Sequence, residues 1–158
     1  MSEVAVVERK ILNIGAGNKI IAGAINHDLH KHRAEIDVAH DLNILPWPWP
    51  DQSFDLIVAC AVLEHLQITL IESVNECWRI LKPNGVLHMK LPYWNHANSY
   101  RDPTHYWRFD LGTCDLFDPD TKYGHDYAFY PVRKWTIIRR AELNNAGSSF
   151  SIKLQVRK

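Results

Sequence analysis

The sequence predicts an α/β fold, in which a mostly parallel β-sheet ends in an antiparallel C-terminal hairpin. Two observations carry this prediction. Short apolar, β-rich runs alternate with one strongly amphipathic helical segment, which is typical of parallel sheets. Two further β-rich runs flank a turn sequence, NNAGS, at residues 144–148. The chain has 158 residues, 18 Lys and Arg against 18 Asp and Glu, and 46% hydrophobic residues. This balance predicts one globular domain over residues 1–158.

The first 60 residues contain four short β-rich runs. They cover residues 10–14, 24–28, 35–40 and 54–60. The last run is apolar enough that we expect it at the centre of a parallel sheet, buried on both faces. Only ten residues separate Gly17 from Asp28, which leaves room for about two helical turns at most. The sequence therefore predicts that the helices beside the first strands are trimmed. Three prolines predict irregular structure over residues 41–50.

The clearest helix is predicted to begin after Thr69. Its apolar residues recur at spacings of one, three and four, so they form one stripe on the helix. Thr69 with Glu72 matches a capping box at the start, and the sequence Pro83-Asn84-Gly85 ends the helix. A strand is predicted to follow over residues 86–91.

Residues 92–158 divide into an irregular segment and two closing strands. Residues 92–131 show no regular period and are expected to form an aromatic-rich loop with one short helix near residues 111–117. Two closing strands are predicted over residues 135–139 and 150–156, paired antiparallel around the turn at residues 144–148.

Composition disfavours several classes of function. The longest apolar runs are far shorter than the ~20 residues of a bilayer span, and the N-terminus has no basic segment of a signal peptide, so no membrane association is expected. Three widely spaced cysteines without a C-x-x-C pair predict reduced thiols in a cytoplasmic compartment. The nine histidines show no pair of clusters with ligand spacing, so no metal is expected. Residues 132–158 hold seven of the basic residues and one acidic residue. We interpret them as a solvated face, and a nucleic-acid partner is disfavoured.

The residues at the carboxyl ends of the predicted strands describe a ligand pocket, because open parallel sheets bind ligands at that edge. Gly15-Ala16-Gly17 follows the first strand and allows close approach of a ligand. Ile20 stands where a dinucleotide fingerprint has its third glycine, which disfavours NAD. Asp28 ends the second strand, Asp41-Leu42 follow the third, and Cys60-Ala61 follow the fourth. Asp28 offers a carboxylate for ribose hydroxyls, and Asp41-Leu42 offer an acceptor for an exocyclic amine and an apolar face for a purine. Together these groups suit an adenosine ligand without a pyrophosphate.

Five segments occur together in the order typical of one family. They are ILNIGAGNK (11–19), HDLNILPWP (40–48), DQSFDLIVACAVLEHL (51–66), ECWRILKPNGVLHMKLP (76–92) and RDPTHYWRF (101–109). With them the chain resembles the class I S-adenosylmethionine-dependent methyltransferases, and within these the small type 11 branch that includes quinone-biosynthesis enzymes. The resemblance implies a Rossmann-like sheet, S-adenosylmethionine as cofactor, and methyl transfer to a small-molecule acceptor.

The resemblance also implies a cofactor site. Gly15 and Gly17 would lie beneath the methionine portion, Asp28 at the ribose, Asp41 and Leu42 at the adenine, and Cys60 and Ala61 near the sulfonium. Asn13, Ala16 and Leu29 are further residues expected at the cofactor. Two residues depart from the family pattern, which usually has an acidic residue at position 13 and often a cysteine at position 16. Asn13 can exchange hydrogen bonds but cannot neutralise the ammonium group of the cofactor.

The acceptor is expected beside the aromatic-rich segment after the fifth strand. Methyl transfer is an in-line displacement, so the enzyme contributes positioning and, where the nucleophile must lose a proton, a base. His96 and His105 are candidate bases, and Tyr106 is a candidate to stack on the acceptor or face the sulfonium. Arg101 and Arg108 are candidates to hold an anionic group of the acceptor.

Two other functions remain open at this point. The chain is alternatively a binding module that keeps the fold without catalysis, or a nucleic-acid methyltransferase. The absence of a D/N-P-P-Y/F motif after the fourth strand argues against methylation of base amines. The aromatic residues of the segment 93–109 also suggest a homodimer.

Overall fold

A computed structural model describes residues 8–158, which form a seven-stranded sheet in the order β3-β2-β1-β4-β5-β7-β6. The strands are β1 (Ile11–Ile14), β2 (Ile25–Asp28), β3 (Val38–Ala39), β4 (Phe54–Cys60), β5 (Leu81–Pro92), β6 (Trp135–Leu143) and β7 (Ser149–Val156). Strands β1 to β5 run parallel, and β7 pairs antiparallel with both β5 and β6. The predicted fold class, with its C-terminal hairpin, is confirmed.

The predicted amphipathic helix is α1 (Leu70–Ile80), and its start is a capping box. The Thr69 hydroxyl accepts from the backbone N–H of Glu72 at 3.1 Å, and the Glu72 carboxylate accepts from the backbone N–H of Thr69 at 2.8 Å. These contacts satisfy two of the backbone donors that every helix start leaves unpaired. The apolar side chains of α1 pack into the single large core of the protein.

The other helical segments are short. They are α2 (Asn98–Arg101), α3 (Lys122–Asp126) and two 3₁₀ turns, Leu63–His65 and Thr113–Phe117. The helix expected near residues 111–117 is therefore a 3₁₀ turn. Within residues 8–158, α1 is the one helix longer than five residues, which confirms that the helices beside the first strands are trimmed.

The expected strand over residues 35–40 is mostly wrong, because only Val38–Ala39 pairs with β2. A turn closed by the N–H of Ile36 and the carbonyl of Arg33 occupies the start of this run. The carboxylate of Asp37 then accepts from the backbone N–H of Asn26 at 2.8 Å. A side chain thus takes the place of a backbone carbonyl at that point of the ladder.

The expectation that β4 is buried on both faces is also wrong. Phe54, Ile57 and Ala59 are buried, whereas Leu56 and Val58 are half-buried. The same alternation continues along β7. The buried face belongs to the core that includes α1, and the opposite face lacks the helices that would cover it among the described residues.

The proline-rich segment that precedes β4 is irregular, as predicted, and is held against α1. The Arg79 guanidinium donates to the backbone carbonyls of Trp49 at 2.9 Å and Trp47 at 3.1 Å. The indole N–H of Trp47 donates to the carbonyl of Leu42 at 2.9 Å. These bonds position residues 41–43 at the end of β3.

Within residues 8–158 no helix combines the length and the apolar character needed to cross a membrane. The three cysteines, Cys60, Cys77 and Cys114, are unpaired, as the sequence predicts.

Candidate functional site

A first cavity of about 330 Å³ opens at the carboxyl ends of the parallel strands. Its wall consists of Gly15, His27, Asp28, Leu29, His40, Asp41, Leu42, Asn43, Ala61, Val62, His65 and Leu66. Of the ten residues predicted at a cofactor, six line this cavity: Gly15, Asp28, Leu29, Asp41, Leu42 and Ala61. The other four, Asn13, Ala16, Gly17 and Cys60, are not part of its wall.

The carboxylate of Asp28 is oriented by two backbone amides. One oxygen accepts from the N–H of Gly17 at 2.6 Å and the other from the N–H of Leu29 at 2.7 Å. A carboxylate oxygen can accept more than one hydrogen bond. Asp28 therefore keeps acceptor capacity for hydroxyl groups of a ligand in the cavity.

A tight turn at the end of β1 brings the backbone close to the cavity. Gly15 has a φ of +61°, and a Cβ added there would lie 2.4 Å from Cγ2 of Val62, so only glycine fits without displacing the wall. The N–H of Ala16 donates to the carbonyl of His27 at 2.9 Å, and Lys19 N–H donates to the Ala16 carbonyl at 2.7 Å. These bonds leave Ala16 buried behind the turn.

The side chain of Asn13 is engaged inside the protein. Its Nδ2 donates to the carbonyl of Lys19 at 2.8 Å and to Oδ1 of Asn26 at 2.9 Å. The same Oδ1 accepts from the N–H of Ile21 at 3.0 Å. This buried network ties the connection between β1 and β2 to the sheet where a helix would otherwise stand.

His27, which sequence reasoning missed, lies in β2 and contributes to the wall. Its Nδ1 accepts from the N–H of Gly15 at 3.4 Å, and its Nε2 lies 2.9 Å from the carbonyl of His40. Since an N–H only donates and a carbonyl only accepts, the proton is on Nε2 and the ring is neutral. Burial lowers the pKa of His27 below its usual range.

A second cavity of about 290 Å³ adjoins the first. Its wall consists of Lys19, Ala61, Glu64, His65, Lys90, Leu91, Pro92, Asn98, His105, Asn144, Ser148 and Ser149. Ala61 and His65 belong to both walls. Ala61 has a φ of +55°, a conformation that costs a non-glycine residue energy and is often found at functional sites.

The three predicted catalytic residues lie in different places. His105 lines the second cavity, and His96 and Tyr106 are not part of its wall. Nδ1 of His96 accepts from the N–H of Asn98 at 3.1 Å. The exposed Tyr106 accepts a hydrogen bond on its hydroxyl from Gln67 at 3.2 Å.

Glu64, His65 and His105 form a compact cluster in the second cavity. Glu64 is 1% exposed, and its Oε2 has no hydrogen-bond partner. Burial raises the pKa of Glu64 to about 7, and burial together with the nearby His105 lowers the pKa of His65. The two imidazole rings lie 4.7 Å apart, edge to face. Sequence reasoning did not bring the three together, because His105 comes from the segment that shows no period.

Comparison with known proteins points to one family. Residues 12–89 match the family model described as "Methyltransferase domain". A curated relative from Mycolicibacterium smegmatis, named "Probable S-adenosylmethionine-dependent methyltransferase", is 29% identical over 89 residues, which are 56% of this chain and 32% of that protein. The chain belongs to the class I S-adenosylmethionine-dependent methyltransferase family. The match spans about a third of the length of that curated relative.

Solved structures share the fold of this methyltransferase-family chain. The YcgJ protein from Bacillus subtilis superposes with a TM-score of 0.63 at 17% identity, over 96% of this chain and 93% of that one. A SAM-dependent methyltransferase from Aquifex aeolicus superposes with a TM-score of 0.64 at 12% identity, over 95% and 83% of the two chains. At these identities the likeness concerns the fold.

The family implies S-adenosylmethionine as cofactor, and the polar and apolar groups that line the first cavity fit an adenosine group. Carboxylates stand at the ends of β2 and β3, and Leu29, Leu42 and Leu66 supply apolar surface. No lysine or arginine is part of the wall, as expected for a methyltransferase cofactor that carries no pyrophosphate. The fit is weaker towards the methionine portion, because the amide nitrogen of Asn13 is already engaged.

Proposed function

We propose that this chain transfers a methyl group from S-adenosylmethionine to a small-molecule acceptor bound in the second cavity. The observation that carries the proposal is the shared wall of the two cavities at Ala61 and His65. Methyl transfer requires the sulfonium and the nucleophile to meet in line at contact distance. Two adjoining cavities at the end of β4 provide places for the two reactants side by side.

In this proposal the first cavity holds the cofactor, which supplies an electrophilic methyl group on its sulfonium. The carboxylate of Asp28 accepts from the ribose hydroxyls, and Asp41 with Leu42 contacts the adenine. Gly15 and Gly17 carry the methionine portion on their turn, and Ala61 lies near the sulfonium. Asn13 and Ala16 act from behind the turn by holding it to the sheet.

The second cavity suits a polar acceptor. Lys19, Lys90 and Ser149 are among the polar groups of its wall, and they match a carboxylate, phosphate or hydroxyl of a small molecule. We propose His105 as the residue that contacts the acceptor. His96 and Tyr106 remain candidates outside this wall.

The ion pairs of the C-terminal segment support a small acceptor over nucleic acid. Arg140 pairs with Asp115 at 2.6 Å and Arg157 with Asp120 at 2.9 Å. Arg139 pairs with Glu142 at 2.8 Å. These basic residues are therefore partly neutralised within the chain, which leaves less positive charge for a phosphate backbone.

We extend the proposal to a cytoplasmic location and a homodimer. The unpaired thiols fit a reducing compartment. Trp94, Tyr100 and Tyr106, all in the segment 93–109, are exposed, and a second copy would cover them. Light scattering at micromolar concentration should give twice the monomer mass, and a monomer mass would remove the dimer from the proposal.

The cofactor site is tested by isothermal titration with S-adenosylmethionine and S-adenosylhomocysteine. Asp28→Ala should weaken binding at least about tenfold, because a hydrogen bond to a charged acceptor contributes ~1.5–3 kcal/mol. Glu35→Ala, which removes an exposed carboxylate outside both cavities, is the matched control and should bind like the wild type.

Turnover is tested on the same samples by measuring S-adenosylhomocysteine release with a panel of hydroxyl, carboxyl and amine acceptors. Binding without release on any acceptor would favour the non-catalytic module. Absence of binding by folded wild-type protein would refute the cofactor assignment.

A further inference from the structure

We infer that Glu64, His65 and His105 form a binding site for a divalent transition-metal ion at the wall between the two cavities. One potential ligand atom from each residue lies within 4.8 Å of those of the other two. His65 belongs to both cavity walls, and Glu64 and His105 belong to the second. An ion held by the three would therefore face the space in which the reactants meet.

The hydrogen bonds of the two histidines leave the same nitrogen free on each ring. The hydroxyl of Thr104 donates its one proton to Asp102 at 2.7 Å, so it can only accept from Nδ1 of His65, at 2.8 Å. Nδ1 of His105 donates to the backbone carbonyl of Ser99 at 3.2 Å. Both rings thus carry their proton on Nδ1, and each Nε2 has a lone pair without a hydrogen-bond partner among residues 8–158.

This is the arrangement of metal-binding histidines in proteins. One ring nitrogen of such a histidine binds the ion while the other donates to a carbonyl, carboxylate or similar acceptor, which fixes the tautomer and the ring orientation. The orientation of His65 and His105 is therefore set before any ion is bound.

Glu64 supplies the third ligand from a buried carboxyl group. Its side chain is 1% exposed and its Oε2 has no partner, although buried carboxylates are ordinarily paired, hydrogen-bonded or metal-bound. Lys19 lines the same cavity, yet its Nζ lies 3.3 Å from Sγ of Cys60 and forms no hydrogen bond with Glu64. A cation at the cluster would provide the partner that the described residues do not.

The ligand set selects the class of metal. Two imidazoles and one carboxylate suit Zn²⁺, Fe²⁺, Mn²⁺ or Co²⁺, whereas Mg²⁺ and Ca²⁺ prefer oxygen ligands throughout. Three protein ligands also leave coordination positions open, as in catalytic rather than structural metal sites.

The role of the ion rests on the proposed function, whereas its binding does not. An acceptor hydroxyl on the ion would release its proton to water, because a metal cation favours the deprotonated oxygen. A lone pair of that oxygen would form the new bond to the methyl carbon, and the electron pair of the broken C–S bond would stay on sulfur.

The test is titration of chelator-treated, dialysed protein with Zn²⁺, followed by calorimetry, and with Co²⁺, followed by its visible absorption. Wild-type protein should bind one equivalent. Glu64→Gln and His105→Gln should each bind at least about tenfold more weakly, since even loss of an outer-shell partner costs 10–100-fold. His88→Gln, which alters a half-buried histidine outside both cavities, should bind like the wild type.

Absence of Zn²⁺ binding by folded wild-type protein, or equal binding by His105→Gln, would overturn the metal site. Zinc could also bind at other, exposed histidines. Zinc binding that neither Glu64→Gln nor His105→Gln weakens therefore counts against the proposed site. Circular dichroism of each variant checks that it is folded. A parallel titration with S-adenosylhomocysteine separates the two proposals, because a protein that binds the nucleoside but no zinc rejects the metal site alone, and the reverse rejects the cofactor assignment alone.

Discussion

Gly15→Ala tests whether the end of β1 has room for a side chain at position 15. The new Cβ would lie 2.4 Å from Cγ2 and 2.6 Å from Cβ of Val62. Val62 is buried and leads directly into the 3₁₀ turn Leu63–His65, so it cannot move without shifting the wall shared by the cavities. Alanine at a φ of +61° adds a backbone cost of ~1–2 kcal/mol, and overpacking adds ~1–3 kcal/mol.

Gly17→Ala is the matched control. Gly17 has a φ of +52°, and a Cβ there would have open space around it. It should therefore show only the backbone cost of ~1–2 kcal/mol. Urea unfolding followed by tryptophan fluorescence should give a Gly15→Ala variant ~1–3 kcal/mol less stable than Gly17→Ala. If the two variants agree within ~0.5 kcal/mol, which is about the precision with which independent changes add, the close approach to Val62 is not a real constraint.

Three further changes have defined outcomes. Ala61→Gly should raise the unfolding free energy by roughly 0.5–1 kcal/mol, because glycine adopts the φ of +55° without strain. Gln52→Gly, at a φ of +52°, is the control in the same urea titration, and a gain in stability by the control alone would contradict the strain assigned to Ala61. Burial lowers the pKa of His27 in the folded protein, so wild-type stability should fall as pH drops below about 6.5, and unfolding at pH 7.5 and 5.5 should show a smaller fall in His27→Gln. Thr69→Ala should cost ~0.5–2 kcal/mol through loss of the cap on α1, measured by thermal unfolding, with an unchanged midpoint as the contrary result.

Local signals explain which parts of the fold the sequence could predict. The stripe and capping box of α1 lie within twelve residues of one another, and the turn before β7 is marked by its own sequence. The strand-end residues Asp28 and Asp41 were predicted at one site because the ends of parallel strands meet at one edge of a sheet. Both kinds of inference need no knowledge of distant contacts.

Tertiary contacts explain what could not be predicted. Leu56 and Val58 are apolar, yet they are half-buried, because their exposure depends on covering helices that residues 8–158 do not form. Glu64 and His105 are 41 positions apart, and only the path of the irregular segment after β5 brings them together. Composition and periodicity carry no information on such a path, so the cluster was invisible to sequence reasoning.

The departure from the family pattern at position 13 follows from the missing helix. Nδ2 of Asn13 donates to the carbonyl of Lys19 and to Oδ1 of Asn26, two groups that can only accept. An aspartate at position 13 would place carboxylate oxygens against both acceptors, and two hydrogen bonds would become repulsions in a buried site. Once the connection to β2 is a turn tied to the sheet by this network, an amide is required where a longer connection tolerates an acid. The asparagine and the shortened connection are therefore one structural change. Its consequence is that position 13 offers no negative charge to the ammonium group of the cofactor.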